Sequence, residues 1–197
     1  MNSEDEYYSD SLSEFGSSDE ENEKVNFDIT TVIVMISDIT NDNNNAVDAL
    51  GDKSKWKNAN YKIYEQISNE MKDPLLPKLN NILEGMEWVM VKSAYQRLEE
   101  IVCELGNISE KKRHEIFCQK VTVIDDDPSD TFIKLKNIRI WSTININIFG
   151  TSDKYNYFTT TANLRIASHL KDMKNKKQIF FDIQPHRSRS LIGSICQ

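Results

Sequence analysis

Apolar and polar positions alternate along this chain in short blocks, and the blocks predict strands separated by helices. The most apolar block covers residues 25–36 and reads VNFDITTVIVMI. It is rich in Val and Ile, which by pattern alone favours a strand. Shorter apolar blocks bounded by turn residues predict further strands at 88–91, 121–124, 144–149, 159–162 and 178–183.

Apolar residues at helical spacing predict helices between these strands. The helices cover 56–71, 74–83, 93–105, 109–119 and 163–173. The helix at 93–105 has clear ends, because Ser93 suits an N-cap and Gly106 suits a C-cap. The Asn-rich stretch 38–51 predicts a loop. Strands that alternate with helices predict an α/β fold with a mostly parallel central sheet flanked by helices.

Polar side chains follow several of the predicted strands. Asp28 lies inside the most apolar block, Asp153 follows the predicted strand 144–149, and Asn163 follows the predicted strand 159–162. Burial of a carboxylate without a partner is strongly unfavourable, and ligands of parallel sheets bind beyond the carboxyl ends of the strands. We therefore expect Asp28 and Asp153 to face a shared polar site. Capping of a following helix is the alternative for all three residues.

The negative charge of the chain is concentrated at its start. Residues 1–24 hold nine acids and one base, whereas the remainder holds 23 bases and 22 acids. A segment of this composition has little apolar surface to bury, which predicts a disordered acidic N-terminal tail over 1–24. The predicted α/β domain then covers 25–187, and a C-terminal tail covers 188–197.

The remaining composition indicates a protein of the cell interior. No apolar run approaches the length of a membrane span, and the polar first residues do not resemble a signal peptide. The three cysteines are widely spaced, which argues against a disulfide framework and a zinc site. We expect an intracellular protein, cytoplasmic or nuclear, that does not bind a membrane. The sequence does not indicate an oligomeric state.

The start and end of the predicted domain resemble a known family. The run FDITT at 27–31 is similar to the opening of PIN-like nuclease domains, in which a strand ends at an Asp and an apolar helix follows. The resemblance implies that the strand stops near Asp28 and that a buried helix begins at Thr30 or Thr31. It also implies that Asp153 is an acid at a helix start, and that Thr161 and Asn163 correspond to a Thr-x-Asp step.

A more specific resemblance links the chain to the C-terminal domain of an uncharacterised eukaryotic family whose human member is an open reading frame on chromosome seven. It rests on the blocks 25–31, 148–153, 160–163 and 184–185, and on the Ser/Asp/Glu-rich stretch before the domain. The resemblance covers about residues 25–187. It implies a three-layer PIN-like α/β domain.

The resemblance implies a phosphodiester-cleaving site and also shows where this chain departs from it. PIN-like nucleases hold Mg²⁺ or Mn²⁺ with three or four carboxylates, since hard cations prefer charged oxygen ligands. Asp28 and Asp153 match two of these ligands, whereas Arg97 and Asn163 stand where two further acids are expected. The implied site residues are catalytic Asp28, Glu100, Asp153 and Asn163, with Thr30, Arg97 and Thr161 beside them.

Two functions from different classes remain open at this point. In the first, the chain is a degenerate nuclease fold that binds RNA or a protein partner, and Arg97 forms a salt bridge with Asp28 or Asp153. In the second, the chain is a Mg²⁺- or Mn²⁺-dependent ribonuclease, and Arg97 points to solvent while Asp28, Glu100 and Asp153 converge.

Overall fold

A computed structural model describes residues 23–192 of the chain. Strand β1 (Lys24–Asn26) leads into helix α1 (Ile29–Ile36), so the most apolar block is a strand followed by a helix. The expectation of a single strand over this block was wrong. The strand stops next to Asp28 as the resemblance implies, and the helix begins at Ile29, one residue before the implied start at Thr30 or Thr31. The β-branched residues of α1 are tolerated in a helix because burial of several of its faces outweighs their weak helix propensity. Residues 1–22 of the predicted acidic tail lie outside the described residues.

The later elements alternate between helices and short strands. The helices are α2 (Asp38–Asn41), α3 (Asn43–Asp48), α4 (Asn58–Lys72), α5 (Leu76–Leu83), α6 (Lys92–Leu105), α7 (Ile108–Cys118), α8 (Asp130–Ile133), α9 (Thr143–Tyr155) and α10 (Leu164–Asn175). The strands are β2 (Glu87–Val91), β3 (Thr122–Ile124), β4 (Thr159–Thr161) and β5 (Ile183–Pro185). None of the helices between residues 23 and 192 is both long and apolar enough to cross a bilayer.

Three segments differ from the elements that the sequence predicted. Residues 144–149 belong to helix α9 and not to a strand, because the alternating Ile residues of this segment are part of a helix that is buried on several sides. The Asn-rich stretch 38–51 contains α2 and α3 in place of a loop. In the segment 178–183, strand pairing begins only at Ile183.

The five strands are parallel and lie side by side. β2 pairs with β1 on one side and with β3 on the other, and β4 pairs with β5. A parallel bridge between Val25 and Phe158 joins the two groups, with 2.9 Å hydrogen bonds from Asn26 N–H to Phe158 O and from Phe158 N–H to Lys24 O. The spatial order is therefore β5-β4-β1-β2-β3, which confirms the α/β fold with a central parallel sheet flanked by helices.

This strand order defines where a ligand is expected. From β1 the chain proceeds outward to β2 and β3, and it then returns to place β4 and β5 on the opposite side of β1. The direction of winding reverses between β1 and β4, so a crevice opens there beyond the carboxyl ends of the two strands. We call the row of carboxyl ends of the five strands the carboxyl edge.

A second apolar cluster lies beside the main core and includes the end of the described chain. Ile39, Ile63 and Ile67 of α2 and α4 enclose Ile192, which is 1% exposed. Residues 188–192, which we call the C-terminal strap, are held by hydrogen bonds from Ser37 Oγ to Ser190 O and from Ile192 N–H to Glu110 Oε1 (2.6 and 2.8 Å). These contacts fix the strap against α2, α4 and α7.

Candidate functional site

Asp28 lies at the carboxyl end of β1, on the side that faces β4. It is the N-cap residue of α1 and is only 4% exposed. One of its carboxylate oxygens, Oδ2, accepts hydrogen bonds from the hydroxyls of Thr30 (2.6 Å) and Thr161. The parallel register between β1 and β4 places Thr161 level with Asp28. Asp28 therefore occupies the crevice at which the winding of the sheet reverses.

The two hydroxyls are oriented toward Asp28 by the backbone of the β4–α10 turn. The Thr30 Oγ1 atom accepts a hydrogen bond from the Ala162 N–H (2.9 Å), and the Thr161 Oγ1 atom accepts one from the Asn163 N–H (3.0 Å). Since each hydroxyl oxygen already accepts a bond, its own hydrogen is directed to the carboxylate. The network ties α1 to the start of α10 across the crevice.

Burial raises the pKa of Asp28 above its usual value. The hydrogen bonds from Thr161 and Thr30 act in the opposite direction, because they stabilise the charged form, but they do not cancel the effect of burial. A carboxyl with a shifted pKa at the switch point of a parallel sheet is a candidate functional group.

A second polar network lies next to Asp28 on the same edge. Thr31 Oγ1 is 2.8 Å from His186 Nε2 and 2.7 Å from Thr160 O. The Nδ1 atom of His186 lies 3.0 Å from the carbonyl of Arg187, which can only accept, so this nitrogen carries a proton. Burial lowers the pKa of His186. The network joins β4 and α1 to the chain that follows β5.

The sequence analysis did not identify Thr31, Thr160 and His186 as partners. His186 is separated from Thr31 by 155 residues, so no local pattern links the two. The one signal in the sequence was the placement of three consecutive threonines in a buried strand, where each hydroxyl needs a partner.

A third network, around Ser93, lies at the carboxyl ends of β2 and β3. The Asp126 Oδ1 atom accepts from the Ser93 N–H (3.1 Å) and from the Ser93 hydroxyl (2.9 Å), and Asn147 Nδ2 donates to the Ser93 hydroxyl (3.0 Å). Ser93 is the second residue of α6 and not its N-cap, which is Val91. Asp126 takes over the capping role, since its carboxylate satisfies an N–H in the first turn of the helix.

Asp153 does not lie at a strand end or at a helix start. It is in the last turns of α9, which returns toward the amino end of β4, and it is 9% exposed. Its carboxylate accepts from the Ser129 hydroxyl (2.5 Å) and from the Phe180 N–H (3.2 Å). The expected position was wrong because residues 144–149 are helical. Asp153 joins α9 to the α8 region and to the segment before β5.

Arg97 and Glu100 pair with each other on the outer face of α6. Arg97 Nη1 is 2.7 Å from Glu100 Oε2, and both side chains are about half exposed. The expected salt bridge of Arg97 with Asp28 or Asp153 is therefore wrong for this structure. The convergence of Glu100 with Asp28 and Asp153 is also not found, since Glu100 faces solvent and Asp153 lies toward the other end of the sheet.

Asn163 caps α10, as the alternative interpretation expected. Its Oδ1 atom accepts from the Ile166 N–H at 3.3 Å. Within residues 23–192 no group of three or more His, Cys, Asp or Glu side chains could hold a metal ion. The assignment of Asp28 and Asp153 as metal ligands stays a prediction.

A cysteine and a histidine approach each other on α7, away from the carboxyl edge. Cys118 Sγ is 3.4 Å from His114 Nε2. Burial raises the pKa of the Cys118 thiol and lowers the pKa of His114. A raised thiol pKa disfavours the thiolate, which is the nucleophilic form of cysteine.

The carboxyl edge differs in charge between its two halves. The exposed side chains of Arg165 and Arg187 follow β4 and β5, and Lys78 of α5 lines the same cavity as Arg187; we call this the basic half. Asp126 and its two acidic neighbours follow β3 and form the acidic half. Asp28 and its hydroxyl partners lie between the two halves.

The model of a family described as Protein of unknown function (DUF1308) matches residues 25–194, a range that contains the sheet except for Lys24 and all of the networks described above. No solved structure matches the chain.

Proposed function

The chain belongs to the DUF1308 family of proteins of unknown function, and we propose that it is a PIN-like domain that binds single-stranded RNA without cleaving it. The observation that carries the proposal is the position of Asp28. It lies in the crevice between β1 and β4, where the resemblance to PIN-like domains implies the centre of the site, but its partners there are hydroxyl groups.

The donor set at Asp28 does not suit a catalytic divalent cation. Mg²⁺ and Mn²⁺ need several oxygen ligands, and carboxylates among them to offset the charge of the ion. Beside Asp28 the crevice offers the hydroxyls of Thr30 and Thr161, which donate to Asp28, and the Asn163 amide, whose oxygen caps α10. A single buried carboxylate with these neighbours favours binding over hydrolysis.

The basic half of the carboxyl edge favours RNA over a protein partner. Lys78 and Arg187 line the same cavity, and Arg165 follows β4; phosphate contacts by such residues supply most of the affinity of non-specific nucleic-acid binding. The net charge of residues 25–197 is close to zero, so attraction to RNA would come from these local cations and not from the net charge of the domain.

A binding experiment with the full chain and a labelled single-stranded RNA tests the proposal. We expect fluorescence anisotropy to report binding at low salt that weakens with a linear dependence of log affinity on log salt concentration. The RNA should stay intact during incubation with Mn²⁺. No binding at low salt would overturn the proposal.

A Mn²⁺ titration separates the proposal from the ribonuclease alternative. An ion at one hundred times its dissociation constant stabilises a folded protein by about 2.7 kcal/mol, so an occupied site raises the melting temperature. We expect no such rise. Cleavage of the RNA in Mn²⁺ that is abolished by Asp28→Asn and kept in Glu100→Gln would establish the ribonuclease instead.

A further inference from the structure

A cavity of about 210 Å³ lies beyond the carboxyl end of β5, on the basic half of the edge. Its walls come from the turn after α4, from helix α5 and from the chain that follows β5. The polar and charged residues that line it are Asp73, Lys78, Gln184, His186, Arg187 and Arg189. Three of these side chains carry a permanent positive charge and one carries a negative charge.

Two of the three cations are paired with carboxylates. Lys78 Nζ is 2.5 Å from Asp73 Oδ1. Arg189 binds Glu70 through two of its nitrogens in an ion pair whose side chains are both 2% exposed. Arg187 has no ion-pair partner within residues 23–192. The guanidinium of Arg187 is therefore the cation of this cavity that remains available to a ligand.

Arg187 is held between two anchored neighbours although its side chain is exposed. Its carbonyl is bound by His186 Nδ1, and Arg189 is fixed by the buried pair with Glu70. A cation on a fixed backbone loses less conformational entropy when it binds a ligand. The positive charges that line the cavity act on Asp73. Lys78 is the main cause of its lowered pKa, and Arg187 and Arg189 lower the pKa further.

The cavity is next to the Asp28 crevice. The His186 N–H donates to Thr161 O (2.9 Å), so the chain beyond β5 continues the pairing with β4 up to the residue that binds Asp28. Neighbouring strands are about 4.8 Å apart. A strand of RNA that follows the carboxyl edge would therefore pass from one site to the other.

We propose that this cavity is a phosphate subsite in which the Arg187 guanidinium, with Lys78 beside it, binds a backbone phosphate of single-stranded RNA. The proposal rests on the RNA-binding function proposed above. Arginine suits the role because its planar fork binds two phosphate oxygens at once.

Four proteins test the proposal by anisotropy with the same labelled RNA at several salt concentrations: the wild type, Arg187→Gln, Arg187→Lys and Lys112→Gln. Lys112 is an exposed residue of α7 that does not line the cavity, and its substitution removes the same charge. We expect Arg187→Gln to bind about tenfold more weakly, as for loss of a charged hydrogen bond. Its salt slope should be shallower by about 0.7, the value for one phosphate contact on a single strand. The RNA affinity of Arg187→Lys should lie between those of the wild type and Arg187→Gln. The RNA affinity of Lys112→Gln should equal that of the wild type.

The outcomes distinguish failure of the subsite from failure of RNA binding. Equal affinities and slopes for the wild type and Arg187→Gln would overturn the subsite and leave RNA binding intact. No RNA binding by the wild type would overturn both proposals. Binding of an oligoglutamate peptide in place of RNA, lost in Arg187→Gln, would replace the phosphate ligand by an acidic protein partner. Thermal melting of each variant checks that its fold is unchanged.

Discussion

At the scale of single residues, Asp28 combines a cost in stability with a position suited to binding. Its pKa is raised by burial, so ionisation of Asp28 is less favourable in the folded protein than in water. The hydroxyls of Thr30 and Thr161 reduce this cost without removing it. Groups of this kind are common at functional sites, where stability is sacrificed for chemistry or recognition.

Replacement of Asp28 by Asn should stabilise the protein at neutral pH. Asn keeps an oxygen that can accept from Thr30 and Thr161, and it has no charge to bury. Because the folded state holds its proton more tightly than the unfolded state, the wild type loses stability as the pH rises from the ordinary pKa of Asp to the raised pKa of Asp28. The gain of Asp28→Asn in melting temperature should therefore be present at pH 7 and disappear in acid.

The matching control is Asp28→Ala, which removes the acceptor of both hydroxyls. Each buried group left without a partner costs about 1–3 kcal/mol, so this variant should melt below the wild type. A melting temperature of Asp28→Asn below that of the wild type at pH 7 would contradict the argument.

The sequence predicted the local position of single residues of the site better than it predicted which side chains they contact. Asp28 and Asn163 were identified correctly as residues at the start of helices, because capping is a local property of the chain. The Thr31–His186 contact could not be predicted, since it depends on the pairing of β5 with β4 and joins residues 155 apart. Arg97 could not be oriented either, because the rotation of α6 is set by packing against other elements.

At the scale of elements, α9 is the main difference between the prediction and the structure. The Ile residues at alternate positions of 144–149 imitate a strand, but the segment is a helix that packs closely against α8. The closest approach is at Gly150. A Cβ atom there would be 2.6 Å from Pro128 Cβ and 2.8 Å from Phe132 Cβ.

Substitution of Gly150 by Ala should destabilise the protein, although Ala is normally the better helix residue. The added methyl group would force apart α9 and the β3–α8 segment, and overpacking of this kind costs about 1–3 kcal/mol. Urea unfolding should give a lower midpoint with an unchanged m value. Thr143→Ala, at the exposed start of the same helix, is the control and should change the midpoint little. An unchanged midpoint in Gly150→Ala would show that the two elements can separate freely.

At the scale of the whole molecule, the C-terminal strap connects the two apolar clusters. Its buried ion pair between Arg189 and Glu70 lies where the sequence predicted the first residues of a C-terminal tail. The sheet and most helices followed from local periodicity. The packing of the strap did not, because the sequence 188–192 has no periodic pattern and its partners are on α2, α4 and α7.

Loss of the buried ion pair should destabilise the whole domain. In Glu70→Gln the Arg189 guanidinium would remain buried without a carboxylate, which typically costs 3–5 kcal/mol, about ten times the value of an exposed pair. Arg97→Gln breaks the exposed pair with Glu100 and serves as the control. Hydrogen exchange should increase at residues 188–192 in Glu70→Gln and not in Arg97→Gln. Equal loss of stability in the two variants would contradict this role of the strap.

The central position of β1 has a consequence for synthesis of the protein. Among the strands of residues 23–192, β1 is the first to leave the ribosome, and one of its two partners can be present soon afterwards in β2. The other partner, at Phe158, is made only after 132 further residues, which at about 5–20 residues per second takes on the order of ten seconds. During this interval the side of β1 that will face β4 is an unpaired strand edge, open to pairing with other nascent chains. We expect the crevice around Asp28 to close only after β4 has been made, and this edge of β1 to benefit from protection by chaperones until then.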